Sequence, residues 1–412
     1  MNKLLVVLSL LLLFSITGFS QLLGQWRGLD RSGVYPETGL LTEWPKEGPP
    51  LLWSVTNLEV GYSSVTVVGK SIYTSGSAAT NEVLIALTDN GQLKWKSPCG
   101  RLTKSGDHCS RSTPTVEGNR IYVSTGRGDI ACVDAQDGKV VWQARPTEDF
   151  EGTCGWWGYA ESPLLCDDKV FFAPGGKKTA IVAYDKNTGK LAWTSESLED
   201  KASMVSPLLV ERGGRKLIVT LTEKFVIGVD PENGKILWKF DFGALMDKEN
   251  NHAITPIYCD GKLYVTSGYK HKSVMLKLAE DGSSVVPLWT DSVLDAHIGG
   301  VVKVGSYIYG SNFKSPYTGN WVCLDWESGK VQWETEWICK GAIISADGFL
   351  YCMEEKTGTM GLVKASPEKF DLTSSFKVPL GSKLFYAHPV IKDGILYIRH
   401  GEALMAYNIK KT

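Results

Sequence analysis

The sequence predicts an all-β fold, an eight-bladed β-propeller of four-stranded blades closed by its own two ends. Three observations carry this. A phrase ending in tryptophan recurs along the chain: DNGQLKW to Trp95, DGKVVW to Trp142, TGKLAW to Trp193, NGKILW to Trp238 and SGKVQW to Trp333. From LLW at Trp53 through those anchors and Trp289 to Phe376, the steps are 42, 47, 51, 45, 51, 44 and 43 residues, a length that suits one four-stranded blade. Finally, the last unit (AHPVIKDGILYIRHGEALMAYNIKK) has no Trp strand, while LLWSV at Trp53 precedes any inner strand. The two ends are therefore expected to complete one blade together, which removes exposed sheet edges.

Each unit justifies four strands, A to D from the inside outward. In STPTVEGNRIYVSTGRGDIACVDAQDGKVVW, β-branched and aromatic runs are separated by a Glu-Gly-Asn turn, a Gly-rich link and a Gln-Asp-Gly turn. The A–B and C–D turns are short and regular, whereas the D–A and B–C links are longer and varied. In a ring these two classes fall on opposite faces. Ligand or partner binding is expected on the varied face, where irregular loops ride on a rigid frame.

The start of the chain reads differently. Lys3, the apolar run Leu4–Phe14 and the exit SITGFS match a secretion signal over residues 1–20, followed by a lead segment 21–50 and the propeller 51–412. The first cysteine is Cys99, so no thiol near the exit can take a lipid anchor, and no 20-residue apolar stretch follows to act as a transmembrane anchor. A periplasmic or secreted protein is expected.

Composition excludes one class of partner. With 44 basic and 45 acidic residues and no long basic run, nucleic acid is not an expected ligand. Of the nine cysteines, Cys132 and Cys323 share one strand C position and Cys166 and Cys259 both end strand A, as small buried hydrophobes would. Cys99, Cys109 and Cys154 fall in links, whose loop geometry would permit a bridge such as Cys99 to Cys109.

Candidate functional residues come from the same register. All six histidines map to the varied face: His108, His252, His297 and His388 at or just before strand A, His271 and His400 in B–C links. His252 and His297 hold matching positions in neighbouring blades, and imidazole serves both as metal ligand and as base. Tyr62, Arg111, Glu161, Lys340 and Tyr386 lie within three residues of the Pro-equivalent position of strand A, and alternate ones should point inward. The candidate catalytic set is therefore His252, His297, His388, Tyr62, Tyr386, Arg111 and Glu161, with His252 and His297 also the candidate metal pair. Trp156 and Trp157, an adjacent pair outside the repeat, are candidates for stacking on a cofactor, a sugar ring or a partner loop.

The unit of strand A ending in Ser/Thr-Pro, then GxxIYV, then Asp-x-x-(Asn/Thr/Asp)-Gly-Lys-(Val/Leu/Ile)-x-Trp resembles the pyrroloquinoline quinone (PQQ) type propeller repeat over roughly residues 51–412. The resemblance implies the fold, and it implies kinship with two groups: quinoprotein alcohol and sugar dehydrogenases, and cofactor-free propellers such as the outer-membrane assembly scaffold. The lead segment QWRGLDRSGVYPETGLLTEWPKEGPPLLW also looks like a third set, secreted PQQ-like repeat proteins of bacteria. The adjacent cysteine pair of the dehydrogenases is missing, as is Cys-x-x-Cys-His. PQQ with calcium is thus not supported by a recognisable site, and no cofactor is expected. The functional expectation is a ligand- or partner-binding propeller. The alternative is a funnel-site enzyme, either a quinoprotein-like oxidoreductase of alcohols or sugars or an acid–base enzyme on carbohydrate.

Overall fold

The computed structural model describes residues 23–103, 106–245 and 252–411. The expected secretion signal lies outside them. The chain forms the eight expected blades, each an antiparallel sheet in A-B-C-D order. In blade 1 the strands are Thr66–Val68, Ser71–Ser77, Asn81–Thr88 and Leu93–Arg101; in blade 7 they are Gly341–Ala346, Phe349–Glu354, Thr359–Lys364 and Asp371–Lys377. Blade 8 takes Val390–Lys392, Ile395–His400 and Ala403–Asn408 from the end of the chain and Leu51–Val55 from its beginning, with Trp53 opposite Ala406. The ring closes as the unpaired end units require.

The recurrent tryptophan ties each blade to the next. The indole N–H of Trp53 donates to Asp89 O (2.9 Å), Trp95 to Ala135 O (3.3 Å), Trp142 to Lys186 O (2.9 Å), Trp193 to Pro231 O (3.1 Å) and Trp333 to Ser366 O (2.9 Å). Every acceptor lies in the C–D turn of the following blade. The indole face covers the turn glycine: a Cβ on Gly91, Gly138, Gly189, Gly234 or Gly329 would lie within 3 Å of the preceding blade's Trp ring. Trp238 and Trp289 have no acceptor for the indole N–H. Trp238 faces blade 5, whose turn Ala279–Ser284 sets Gly282 against Leu217 instead of an indole.

Strand C explains the cysteines. The residue paired with the Trp is small in six blades, namely Ala86, Cys132, Ala183, Gly228, Cys323 and Ala406, and Met275 in blade 5. A β-bulge follows it at once in blades 1 to 6, adding twist that turns the indole toward the neighbouring sheet. Cys132 and Cys323 therefore fill a slot that a larger side chain would overpack. All nine cysteines are free, so the bridge weighed for Cys99 and Cys109 is not formed; Cys99 is buried in strand D of blade 1. Apolar clusters lie between blades, as where Tyr122, Cys132 and Trp142 of blade 2 meet Val170, Phe172 and Tyr184 of blade 3.

The lead segment does something the repeat pattern does not announce: it crosses the central channel. Leu23–Gly24 pairs antiparallel with strand A of blade 2 (Thr115–Glu117), and Val34–Tyr35 pairs parallel with strand A of blade 7. Between them two buried arginines hold the inner strands. Arg31 donates to Ser162 O (3.0 Å), Pro163 O (2.7 Å) and Pro207 O (2.8 Å) of blades 3 and 4. Arg27 donates to Val301 O (2.6 Å), Ile343 O (3.2 Å) and His388 Nδ1 (2.9 Å) of blades 6, 7 and 8. Both arginines take left-handed φ (61° and 59°), an uncommon conformation stabilised here by these contacts. Burial lowers their pKa values to about 10 and about 9, which leaves both cationic at neutral pH.

Two glycines with similar φ separate the energetics of the Trp contact. Gly234 (φ +77°) lies with its Cβ direction 2.4 Å from Trp193, whereas Gly214 (φ +75°) has nothing within 4 Å. Gly214→Ala is expected to cost about 1 kcal/mol from backbone strain alone, and Gly234→Ala about 3 kcal/mol, because the indole must also move. Urea-unfolding midpoints of the two variants check this. Equal losses would mean that the indole contact contributes nothing.

Candidate functional site

A cavity of about 190 Å³ opens on the D–A and B–C face, at the mouth of the central channel. Its wall follows from strand parity. Successive side chains of an extended chain point to opposite sides, and the lining residues stand one and three places before the Pro or its equivalent: Tyr62 in blade 1, Arg111 in blade 2, Ala160 and Ser162 in blade 3, Met204 and Ser206 in blade 4, Ala253 in blade 5, Tyr386 and His388 in blade 8. Blade 6 breaks the alternation. The irregular pairing between Ala296 and Val301 brings His297 and Ile298 both to the cavity. Trp26 of the crossing segment supplies a further wall, and Asp107, Trp157 and Tyr269 come from the links.

Parity also sorts the candidate residues. Tyr62, Tyr386, Arg111, His297, His388 and Trp157 are brought together around the cavity. Glu161 stands two places before Pro163 and His252 four places before Pro256, so both point between blades, which corrects their placement in the funnel. Glu161 is fully buried and accepts the Ala173 N–H; burial raises its pKa to about 8. His252 has both nitrogens occupied, Nδ1 by Ser267 Oγ and Nε2 by Glu223 O, each at 2.8 Å, and its ring lies against Phe242 and His271. The pairing of His252 with His297 as metal ligands is likewise corrected, since the two rings occupy different environments. Among the described residues no three His, Cys, Asp or Glu side chains are grouped as metal ligands.

The other candidates have structural surroundings. Trp156 is 70% exposed and does not line the cavity. Lys340 is buried in an ion pair with Glu355 and lies over the Phe313 ring. His108 is bonded to Thr103 O (2.9 Å) and His271 to Lys272 O (2.6 Å). His400 is held between Leu380 O and Lys383 O, both at 2.8 Å, and stacks on Phe385.

Inside the cavity the polar groups are few and mostly engaged. The Arg111 guanidinium binds Asp107 through Nη2 (2.6 Å), and the same carboxylate lies close enough to Tyr62 to oppose ionisation of its phenol. Tyr62 packs on Tyr386 with ring centroids 4.9 Å apart. His388 accepts from Arg27 at Nδ1 and therefore donates from Nε2 to Ile298 O (3.1 Å), a neutral tautomer fixed by its neighbours. His297 Nε2 meets the Tyr269 hydroxyl at 2.9 Å. Two buried atoms are left without partners, Arg111 Nη1 and His297 Nδ1. Burial first, then Lys340, holds the His297 pKa down at about 3; burial first, then Arg27, does the same for His388. Both rings are neutral at neutral pH. Burial also raises the phenols of Tyr62, Tyr386 and Tyr269, which stay protonated.

The sequence did not single out Trp26, Asp107 or Tyr269. Trp26 has no periodic signal, because the segment that carries it crosses the ring instead of joining a blade. Asp107, four residues before Arg111, was legible only as a loop acid.

His252 now carries a stability prediction. His252→Ala removes a buried ring and orphans Glu223 O, and is expected to lower stability at pH 7 by about 2–4 kcal/mol. Its folded pKa, depressed to about 4 by burial, lies below the ordinary 6.5. As pH falls from 6.5 to 4 the unfolded chain therefore takes a proton that the folded one refuses, and stability is lost across that window. The variant should lose less than the parent between pH 6.5 and 4. Urea midpoints at pH 7 and 5 test both statements, and an unchanged acid slope would count against the buried neutral imidazole.

Comparison with known proteins agrees with the fold. A family model described as outer membrane protein assembly factor BamB matches residues 33–155 and 79–335. The assembly factor BamB of Moranella endobia is 20% identical over 330 residues, 77% of this chain and 80% of that protein. The 1-butanol dehydrogenase (quinone) of Thauera butanivorans is 29% identical over 132 residues, 29% of this chain and only 20% of the enzyme. Among solved structures, BamB from Moraxella catarrhalis superposes with a TM-score of 0.63 at 13% identity, covering 87% of this chain and 99% of that one. A europium-containing methanol dehydrogenase gives 0.60 at 13% identity, covering 92% and 90%. A described helix long and apolar enough to cross a membrane is absent. With eight blades, seven of them carrying the recurrent Trp, and a family match spanning most of the ring, the chain belongs to the PQQ-like propeller family of the outer membrane protein assembly factor BamB.

Proposed function

We propose that this protein is a periplasmic or secreted binding propeller that holds a small ligand in the axial cavity of its loop-rich face. The observation that carries the reading is the cavity itself: concave, with Trp26, Tyr62, Trp157, Tyr269 and Tyr386 in its wall and two unpartnered buried nitrogens, Arg111 Nη1 and His297 Nδ1. Apolar walls with a few convergent polar atoms are the usual form of a small-molecule site. The Trp-docked ring and the arginine-held crossing segment support those groups without a folding step on binding.

A quinone with calcium does not fit this donor set. Calcium takes six to eight oxygen ligands. Asp107 is the one carboxylate in the lining, and it is already bound to Arg111 and to the Cys109 N–H. Titration of the purified protein with PQQ and calcium should give no tight uptake and no dye-linked alcohol oxidation. Stoichiometric uptake with turnover would overturn this.

A second reading, acid–base chemistry, is favoured by one observation, the His297–Tyr269 contact at 2.9 Å beside an unpartnered His297 Nδ1. Both readings place the ligand in the same cavity. Ala160→Trp, which fills the wall, should abolish the hits of a fragment library screened by ligand-observed NMR, whereas Trp156→Ala should keep them. Fragments that survive Ala160→Trp would place binding elsewhere.

A further inference from the structure

We infer that the axial cavity recognises an acidic sugar, a single pyranose ring whose carboxylate meets Arg111; the inference rests on the ligand-binding reading above and names its ligand class. The argument begins from the balance of donors and acceptors. Arg111 has Nη2 on Asp107, and its Nη1 is buried with no partner. Ser162 Oγ accepts the Thr113 N–H (3.0 Å), and Ser206 Oγ accepts the Ser162 N–H (2.9 Å). Each hydroxyl has thus used acceptor capacity and retains its own hydrogen to donate. The carboxylate of Asp107 is engaged by Arg111 and by the Cys109 N–H (3.3 Å). The wall offers donors and few acceptors, so it suits a ligand rich in acceptor oxygens.

Charge points the same way. Arg27 is buried beside the cavity with only carbonyls and the His388 imidazole as hydrogen-bond partners, so its charge is not neutralised by a bonded carboxylate. After desolvation, Arg27 is what disfavours a proton on His388, as Lys340 does for His297. Of the charges around the cavity, Arg27 and Arg111 favour an anion there, whereas Asp107 and Glu355 act in the opposite sense on Tyr62, Tyr386 and Tyr269.

Shape completes the class. Trp26, Tyr62 and Tyr386 line the cavity with aromatic rings, apolar surface against which the C–H face of a sugar ring can pack while its hydroxyls reach the rim. The volume, about 190 Å³, is below the ~300–1,000 Å³ of sites for drug-sized ligands and suits one ring, with further units leaving past the half-exposed Trp157.

Isothermal titration calorimetry of the purified protein tests the class with galacturonate and glucuronate oligosaccharides, the matching neutral oligosaccharides, and benzoate. Binding of a uronate series is expected, weakened roughly 10- to 100-fold by Arg111→Gln. Tyr386→Ala, which leaves the Arg111–Asp107 pair in place, should weaken it about tenfold and serves if Arg111→Gln does not fold. Neutral sugars bound as tightly as uronates, or uronate affinity unmoved by Arg111→Gln, would overturn the carboxylate contact. Benzoate bound where uronates are not would overturn the sugar. Should no uronate bind while Ala160→Trp still abolishes the fragment hits, this inference falls and the ligand-binding cavity stands.

Discussion

The structure depends on one repeated contact, an indole laid over the C–D turn of the next blade. The indole demands two things of the sequence at once. The turn must carry a glycine, because a Cβ there would enter the ring. The strand C residue opposite the indole is small in most blades, which accounts for Cys132 and Cys323 without any appeal to thiol chemistry. Between these two constraints lies the Gly-Lys-x-x-Trp phrase, so the most visible feature of the sequence marks an inter-blade joint. Blades fixed to one another at their outer edges hold their inner ends at set positions, and the cavity wall is built from those inner ends.

Inner strands are joined separately. Thr66 donates to Pro114 O and Thr115 to Pro163 O, both at 2.6 Å, and Ser64 Oγ donates to His388 O at 2.6 Å. The segment carrying Arg27 and Arg31 adds a crossbar, with donors on carbonyls of blades 3, 4, 6 and 7. Carbonyls that face a narrow channel need donors, and a guanidinium supplies several in a fixed fork. The same segment delivers Trp26 to the cavity, so the element that satisfies the channel also lines the site.

Much of this was legible in the sequence, because repetition and period-two alternation are local properties. The blade count, the shared eighth blade and the short turns follow from the Trp spacing and the two incomplete end units. Tyr62, Arg111, Tyr386 and His388 share the cavity because they stand one or three places before the same Pro position. Glu161 and His252 had the right neighbourhood and the wrong parity, and a count back from Pro163 and Pro256 would have separated them. His297 reaches the cavity through an irregular strand that alternation does not describe. The crossing segment was illegible for a different reason: its partners are backbone carbonyls, which every sequence possesses, so nothing in residues 23–35 specifies where Arg27 and Arg31 will dock.

The strand Leu51–Val55 in blade 8 acts as a clasp. Seven blades are built from consecutive segments and can form by local pairing, while the eighth waits for residues some 350 positions apart to meet. Loop closure of that length costs only slightly more entropy than closure of a loop half as long, so its main effect is on order of events. Until the clasp is fastened, Trp53 has no seat on the Asp89–Gly91 turn, blade 8 presents an open strand edge to other chains, and the face of blade 1 stays uncovered. During synthesis the ring therefore passes through an unclosed horseshoe, and that interval is when its sheets are most exposed to mispairing.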